Sequence, residues 1–291
     1  MGMRIRTNVP SLTAQRFLTQ NTGNLTQSFE RLSSGFRINK SADDAAGLAI
    51  SENMRAKVRG LNQNKRNAND AVSMVQIAEG GMNEMSNILI RARELTIQAA
   101  SDTIGDTERG FLNREYTQLV DEIDRIAATT EFNGLKMFSG ERPEQFIIQV
   151  GPNGTAPELN MDTITIDLSG LNFTTADMEL GKGPEIGPKD GSDAPSREEI
   201  AAKLSPIDNA LSRIASERAT LGSIQSRLGS AVNNLGVSVE NLELAKSRIR
   251  DVDFAAETAE LTQARILTNS NVAILTQANA TPEMALALLR S

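Results

Sequence analysis

The chain has 291 residues and a formal net charge of −7 at pH 7, and it contains no cysteine, histidine or tryptophan. Without cysteine or histidine it has no disulfides, thiolate ligands, histidine-dependent zinc sites or Ser-His-Asp triad, so we expect neither an enzyme nor a cofactor. Acidic and basic residues are interleaved, and no apolar run approaches the roughly 18 residues of a membrane span, so we expect no nucleic acid and no membrane insertion.

Two helices are predicted in the first third of the chain. Ser33-Ser34-Gly35 should break or bend the first, over residues 10–36. Ser41 as N-cap with Asp44 as the acid at the third helical position opens the second, from about 42 to 100, whose weak point is Gly80-Gly81. The pattern of the first helix, spaced four and three apart, is Leu18, Thr22, Leu25, Phe29, Leu32 and Phe36.

The middle of the chain changes period. A shorter third helix is followed by a turn at Phe132-Asn133-Gly134, and residues 146–150 and 164–168, joined by a turn over 151–154, indicate a β-hairpin. Asn153-Gly154-Thr155 matches a glycosylation sequon, but Asn-Gly is also a turn signal, and we favour the turn. The third helix is indicated by Leu112, Tyr116, Leu119, Ile123 and Ile126.

The last third is predicted to be helical again. A loop over 181–195 precedes a capping box of Ser196 and Glu199, and Pro206 suits the first turn of a long returning helix. Thr281-Pro282-Glu283 should interrupt the final segment and restart a short terminal helix. That segment carries a seven-residue period at Val252, Ala259, Ile266, Ala273, Ala280 and Ala287.

Aliphatic residues also recur at intervals of seven in both halves of the chain. This period is typical of supercoiled helices that bury one seam, and only 3% of the chain is aromatic. We therefore predict a mainly α protein: long antiparallel helices in a coiled-coil-like bundle with a small β-hairpin region. The ladders are Met54, Leu61, Ala68, Val75, Met82, Leu89 and Ile207, Ile214, Leu221, Leu228, Leu235, Leu242, Ile249.

Several local motifs together resemble one known family. Residues 31–39 (RLSSGFRIN), 43–47 (DDAAG), 67–70 (NAND), 91–95 (RAREL) and 131–134 (EFNG) closely resemble the amino-terminal signature of bacterial flagellins. The carboxy-terminal signature is resembled by residues 247–253 (SRIRDVD) and 286–290 (LALLR). The likeness covers roughly 1–170 and 196–290, in the correct order and spacing.

The resemblance implies a subunit of the flagellar filament, in a short form without large outer domains. It implies that residues 1–56 and 247–291 form the inner core, and that 57–246 form a rod with the hairpin region at about 140–180. It also implies a homopolymer, secreted through the flagellar export channel, whose further partners are an export chaperone, the filament cap and hook-junction proteins.

Three sets of candidate site residues follow. Gly222, Gly229 and Gly236 each follow a ladder residue, which indicates either a close-packing face or simple tolerance. By resemblance, Arg91, Leu95 and Glu115 match positions bound by Toll-like receptor 5 of a host, although Ile90 replaces a common Gln. The polymerisation candidates on the terminal segments are Leu18, Leu25, Leu32, Leu261, Ile266, Ala273, Ile274, Ala280 and Leu288.

Other interpretations remain at this point. A hook–filament junction protein shares both terminal patterns but would join only a few copies. A cytoplasmic coiled-coil adaptor predicts ordered ends and no dependence on flagellar export. Asp43 with Asp44, and Asp251 with Asp253, could form metal or acid/base pairs, but adjacent helical residues point in different directions, so we interpret them as caps and surface charges.

Overall fold

A computed structural model describes residues 7–140, 142–151, 162–180, 186–188 and 195–290, the last ten by their backbone alone. The chain divides into two compact units, one of Met1–Val58 with Glu240–Ser291 and the other of Arg59–Val239. No helix in these described stretches is long and apolar enough to cross a membrane. The helices are α1 (Val9–Ser34), α2 (Ala45–Ala99), α3 (Asp106–Thr129), α4 (Arg197–Ala202), α5 (Leu204–Arg250) and α6 (Phe254–Arg290).

The core of the second unit is formed by α2, α3 and α5, with two small hairpins. The ladder residues Ala68, Val75, Met82 and Leu89 of α2 are buried in it, as are those of α5 from Ile207 to Leu228. Ion pairs Arg93–Asp208 and Glu79–Arg218 join α2 to α5 in antiparallel order. The predicted intrachain bundle of long antiparallel helices is therefore confirmed.

Both hairpins are antiparallel. Strands β1 (Glu131–Phe132) and β2 (Leu135–Lys136) are joined by Asn133 and Gly134, whose φ values of 50° and 80° fit the type I′ turn that Asn-Gly favours. Strands β3 (Gln145–Gln149) and β4 (Thr163–Asp167) form the second hairpin, which is the one that the sequence predicts. Its turn at 152–154, with the glycosylation sequon, and most of the predicted loop at 181–195 lie outside the described residues.

Gly80 and Gly81 do not interrupt α2, in contrast to the weak point expected there. A Cβ added at Gly81 would lie 2.5 Å from Cε2 of Phe138, a side chain with no exposed surface. Nothing lies within 4 Å of a Cβ built at Gly80. Gly81 therefore makes room for an aromatic side chain in the core, while the surrounding helix and its packing carry α2 past both glycines.

The start of α2 differs from the predicted cap. The helix begins at Ala45, and Oδ1 of Asp44 accepts from the backbone N–H of Gly47 at 2.8 Å, so Asp44 rather than Ser41 is the capping residue. Asp43 instead accepts from the backbone N–H groups of Asn39 and Lys40, each at 3.0 Å. Both bonds lower the pKa of the Asp43 carboxyl, and the bond from the Lys40 N–H is the larger cause.

The predicted interruption at Pro282 is wrong, because α6 continues from Phe254 to Arg290. Proline has no N–H, so it cannot donate to the carbonyl of Ala278, four residues earlier in the helix. Nδ2 of Asn8 donates to that carbonyl instead, at 2.8 Å. A side chain from the start of α1 thus supplies the hydrogen bond that the proline leaves unmade.

The last segments before α6 follow the sequence pattern. Ser196 and Glu199 form the predicted capping box at the start of α4. Pro206 lies in the first turn of α5, where a missing N–H costs no helical hydrogen bond.

Candidate assembly interface

Helices α1 and α6 pack against each other in antiparallel order within the first unit. The less exposed positions of each recur three and four residues apart, which is the spacing of a coiled-coil seam. The residues of this seam are Ser11, Ala14, Leu18, Asn21, Leu25, Ser28 and Leu32 on α1, and Glu257, Leu261, Ala264, Thr268, Asn271, Leu275 and Ala278 on α6.

Polar contacts close both ends of the seam. Asn8 caps α1 through its Oδ1, which accepts from Ser11 N–H at 3.2 Å, and Ser11 Oγ donates to Asn279 Oδ1 at 2.8 Å. At the other end, Arg31 and Glu257 approach to 3.6 Å, and the Glu257 side chain is 7% exposed. Since polar groups fix both ends, the register of the two helices is specified by more than apolar contact.

The connection between α1 and α2 contacts the connection between α5 and α6. Gly35 ends α1 at φ 75°, and Phe36 pairs with Asp251 in an isolated antiparallel bridge. The guanidinium of Arg250 lies 4.6 Å from the Phe36 ring centroid and donates to Glu52 of α2 at 2.6 Å. That bond is the largest cause of the lowered pKa of the Glu52 carboxyl.

The opposite faces of α1 and α6 carry large apolar side chains that nothing in the described chain covers. Ile266 is 60% exposed and Ile274 is 55% exposed, although both lie on a helix that already buries another face. Several large exposed apolar side chains on one helix pair make it a candidate binding surface for another protein. The exposed set is Val9, Leu12, Phe17, Phe29, Phe254, Ile266, Leu267, Val272 and Ile274.

The polymerisation candidates from the sequence divide between these two faces. Leu18, Leu25, Leu32 and Leu261 lie in the intrachain seam, and Ala280 is half-buried near its end. Ile266, Ala273 and Ile274 lie on the exposed face, and the side chain of Leu288 lies outside the described residues. The seven-residue period from Ala259 to Ala273 therefore follows the exposed face of α6.

Sequence reasoning missed part of the exposed face. Val9, Leu12 and Phe17 lie out of phase with the period predicted for α1 and are absent from the candidates, whereas Phe29 belongs to that period and is nevertheless 55% exposed. At about 100° per residue these four positions are spread around α1, so no single second stripe marks them.

The three glycines beside the α5 ladder face open space. No atom of the described chain lies within 4 Å of a Cβ built at Gly222, Gly229 or Gly236. A close approach by another helix of the same described chain is thus absent at these positions. These three positions are therefore open to another copy or to a partner.

The receptor candidates lie between α2 and α3. Arg91 donates to Oε1 of Glu115 at 2.8 Å, and this bond is the largest cause of the raised pKa of Arg91. Leu95 has 0% exposure and belongs to the core of the second unit. A receptor docking on this surface could reach Arg91 and Glu115 but not Leu95, which corrects that part of the expectation.

The described residues form no cluster of three or more carboxylates that could hold a metal ion. Asp253, one of the paired acids considered above, accepts from the backbone N–H groups of Ala255 and Ala256 at the start of α6, as a helix cap does. The acidic pairs therefore have structural uses.

Comparisons with known proteins agree along nearly the whole length. Residues 5–142 match the bacterial flagellin N-terminal helical region, and residues 204–289 match the bacterial flagellin C-terminal helical region. The chain is 39% identical over 288 residues to a flagellin of Halalkalibacterium halodurans, covering 99% of this chain and 100% of that protein. It is 37% identical over 294 residues to the flagellar filament 33 kDa core protein of Treponema phagedenis, with the same coverage of both. A crystal structure of Bacillus cereus flagellin aligns with a TM-score of 0.48 at 31% identity, covering 58% of this chain and 88% of that one.

Proposed function

The chain belongs to the bacterial flagellin family, and on that premise we propose that it is the structural subunit of a flagellar filament, exported from the cell and polymerised outside it. Its role is mechanical: the family is a structural one, and the chain acts by binding further copies of itself. The hook–filament junction alternative is not favoured, since the relatives that match over full length are filament proteins.

The observation that carries this proposal is the second apolar face of the terminal helix pair. One face of α1 and α6 is used inside the chain, while Phe17, Phe29, Ile266 and Ile274, outside that face, are exposed to solvent. Covering that face with further copies removes apolar surface from water at roughly 25 cal/mol per Å², which offsets the entropy of ordering the helices. Most helical stability in proteins comes from packing an apolar face, so we expect covering these side chains to order the pair as it assembles.

The polymerisation residues are therefore proposed in two roles. Leu18, Leu25, Leu32 and Leu261 close the pair within each subunit, while Ile266, Ala273 and Ile274 contact neighbouring subunits. Ala280 and Leu288 stay candidates near the end of α6. In this arrangement residues 1–56 and 247–291 make the inner part of the filament, and 57–246 the part around it.

Salt-induced assembly of the purified protein, followed by electron microscopy, tests the proposal. The full chain should form long filaments of small diameter, because it has no room for large outer domains. Removing residues 247–291 should leave a folded monomer, detected by its helical circular dichroism, that does not polymerise. Filaments formed by the truncated chain, or none formed by the full chain, would refute the proposal.

Single variants on α6 separate the two faces. Ile266→Asn and Ile274→Asn should each weaken polymerisation, because they place an amide on the surface proposed to be buried between subunits. Ser226→Ala, at an exposed polar position of α5 in the second unit, is the control and should polymerise as the parent chain does. Equal assembly of all three variants would remove this face from the interface.

The other partners follow from family membership. We propose that an export chaperone binds the terminal segment containing α6 before assembly, and that the filament cap and hook-junction proteins contact the chain during it. Recognition by Toll-like receptor 5 would use the Arg91–Glu115 pair. Arg91→Ala should lower receptor activation by the monomer, with Arg125→Ala on α3 as an exposed-arginine control; equal activation by both would exclude the site.

A further inference from the structure

The second unit has an open apolar groove between α2 and the two hairpins. Its cavity measures about 380 Å³, and its lining includes Ala71, Met74, Phe132 and Phe146, with Asp70 at an exposed position beside them. A benzene ring fits an apolar cavity of roughly 150 Å³, so this groove is large enough for an aromatic side chain.

An aromatic side chain projects from a different part of the same unit. Phe111 of α3 is 60% exposed, and the guanidinium of Arg114 lies 5.9 Å from its ring centroid. Phe111 adjoins Gln98 of α2 around a shallow depression that also includes Ile104 and Glu108. The surface here is a phenyl ring with a positive charge beside it.

The two surfaces are far apart in one molecule. The groove contacts α2 at residues 67–74, and Phe111 adjoins α2 at Gln98. At 1.5 Å per residue, the 24 residues from Met74 to Gln98 span about 36 Å of helix. Phe111 therefore cannot fill the groove of its own chain, but it can reach that of another copy.

We propose that Phe111 of one subunit inserts into the groove of the next, with Arg114 facing Asp70. This inference rests on the proposed function, since it specifies one contact between copies in the polymer. The surfaces match in shape, a projecting ring and a cavity, and in charge, a guanidinium and a carboxylate. Because the contact joins two different patches, it is heterologous, and repetition of a heterologous contact that does not close generates an open helical assembly.

Chemical cross-linking tests the contact directly, because the natural chain contains no cysteine. The double variant Asp70→Cys with Arg114→Cys is polymerised and treated with a short bis-maleimide. A ladder of covalent multimers on a denaturing gel is expected from the double variant and not from either single variant. Filaments of the double variant without a ladder would overturn the contact, as would dimers from a single variant, since these indicate a two-fold contact.

A charge exchange gives a second, independent readout if the cysteine pair itself hinders assembly. Asp70→Arg and Arg114→Asp each place like charges together and should raise the critical concentration for polymerisation by roughly tenfold or more. Combining them restores opposite charges and should return most of that loss. Single variants that assemble normally, or a double variant no better than the singles, would overturn the contact.

These results are distinguishable from failure of the proposed function. If the parent chain forms no filaments, the filament function itself fails. If the parent chain polymerises but the cross-linking and charge-exchange results are negative, only the Phe111 contact fails.

Discussion

Asn8 is expected to control the stability of the polymer through two hydrogen bonds at one end of the terminal helix pair. Its Oδ1 caps α1 by accepting from Ser11 N–H, and its Nδ2 donates to the Ala278 carbonyl, which Pro282 cannot reach with an N–H of its own. Asn8→Ala removes both bonds. Asn8→Asp keeps the capping oxygen but removes the donor.

The magnitudes follow from the two roles. Loss of the cap costs about 1 kcal/mol. Leaving the partly buried Ala278 carbonyl without its donor costs about 1 kcal/mol more. Since the pair is proposed to order on assembly, the full 2 kcal/mol should appear in polymerisation, raising the critical concentration by roughly 30-fold for Asn8→Ala and about 5-fold for Asn8→Asp.

The assay is the critical concentration measured by sedimentation of filaments at equilibrium. The matched control is Pro282→Ala, which restores a backbone N–H to the Ala278 carbonyl and makes the Asn8 donor redundant. In that background Asn8→Asp should cost almost nothing, while Asn8→Ala should still lose the cap. An equal cost of Asn8→Asp in both backgrounds would refute the coupling between Asn8 and the proline.

Four further predictions concern the rod. Gly80→Ala should raise the free energy of unfolding in urea by about 0.5–1 kcal/mol, since its Cβ meets open space. Gly81→Ala should lower it by about 1–3 kcal/mol because of Phe138. Burial raises the pKa of Tyr116 from 10.0 to about 12, so the unfolded chain loses this proton first. Stability present below pH 10 should therefore fall by about 3 kcal/mol as the pH rises through 12, and Tyr116→Phe should remove that loss in alkaline unfolding scans. Gly229→Leu should change the free energy of unfolding in urea little but should impair filament formation, seen by electron microscopy. Intact filaments of this variant would show that a glycine at this position is tolerated and not needed for close packing.

The helical framework could be predicted from the sequence because its signals are local and repeated. The ladder positions from Ile207 to Leu228 reappear as buried residues, and Gly35, Asn133 and the Ser196 capping box act where their local patterns indicate. Each depends on neighbours within a few residues, so no distant contact was needed to interpret it. Local patterns also favour Ser41 over Asp44 as the N-cap of α2, which is wrong. Both residue types are good N-caps, and only the path of the backbone in the folded chain decides which of them lies at the start of the helix.

Contacts between distant residues explain what local patterns missed. Pro282 alone indicates a helix end, but Asn8 donates to the carbonyl of Ala278, 270 positions away in sequence, which the proline leaves without a helical partner. Leu95 matches a receptor-bound position by resemblance, yet the packing of α2 buries it completely. The candidate interface was harder still, because the apolar side chains that α1 and α6 expose are spread over several sides of each helix and follow no single period.

The threonines of the terminal helices affect two properties: the stability of these helices in the isolated subunit and the ease with which they are buried between subunits. Threonine is a poor helix former, at about 0.5 kcal/mol per residue relative to alanine, so the threonines of α1 and α6 keep the isolated pair marginal. Their hydroxyls nevertheless have a partner without water, because each donates to the carbonyl four residues earlier in the same helix. A subunit face built this way can be covered by another copy without stranding unpaired donors. We expect alanine at these positions to raise the helicity of the isolated terminal helices. The residues concerned are Thr13, Thr19, Thr22, Thr26, Thr258, Thr262, Thr268 and Thr276.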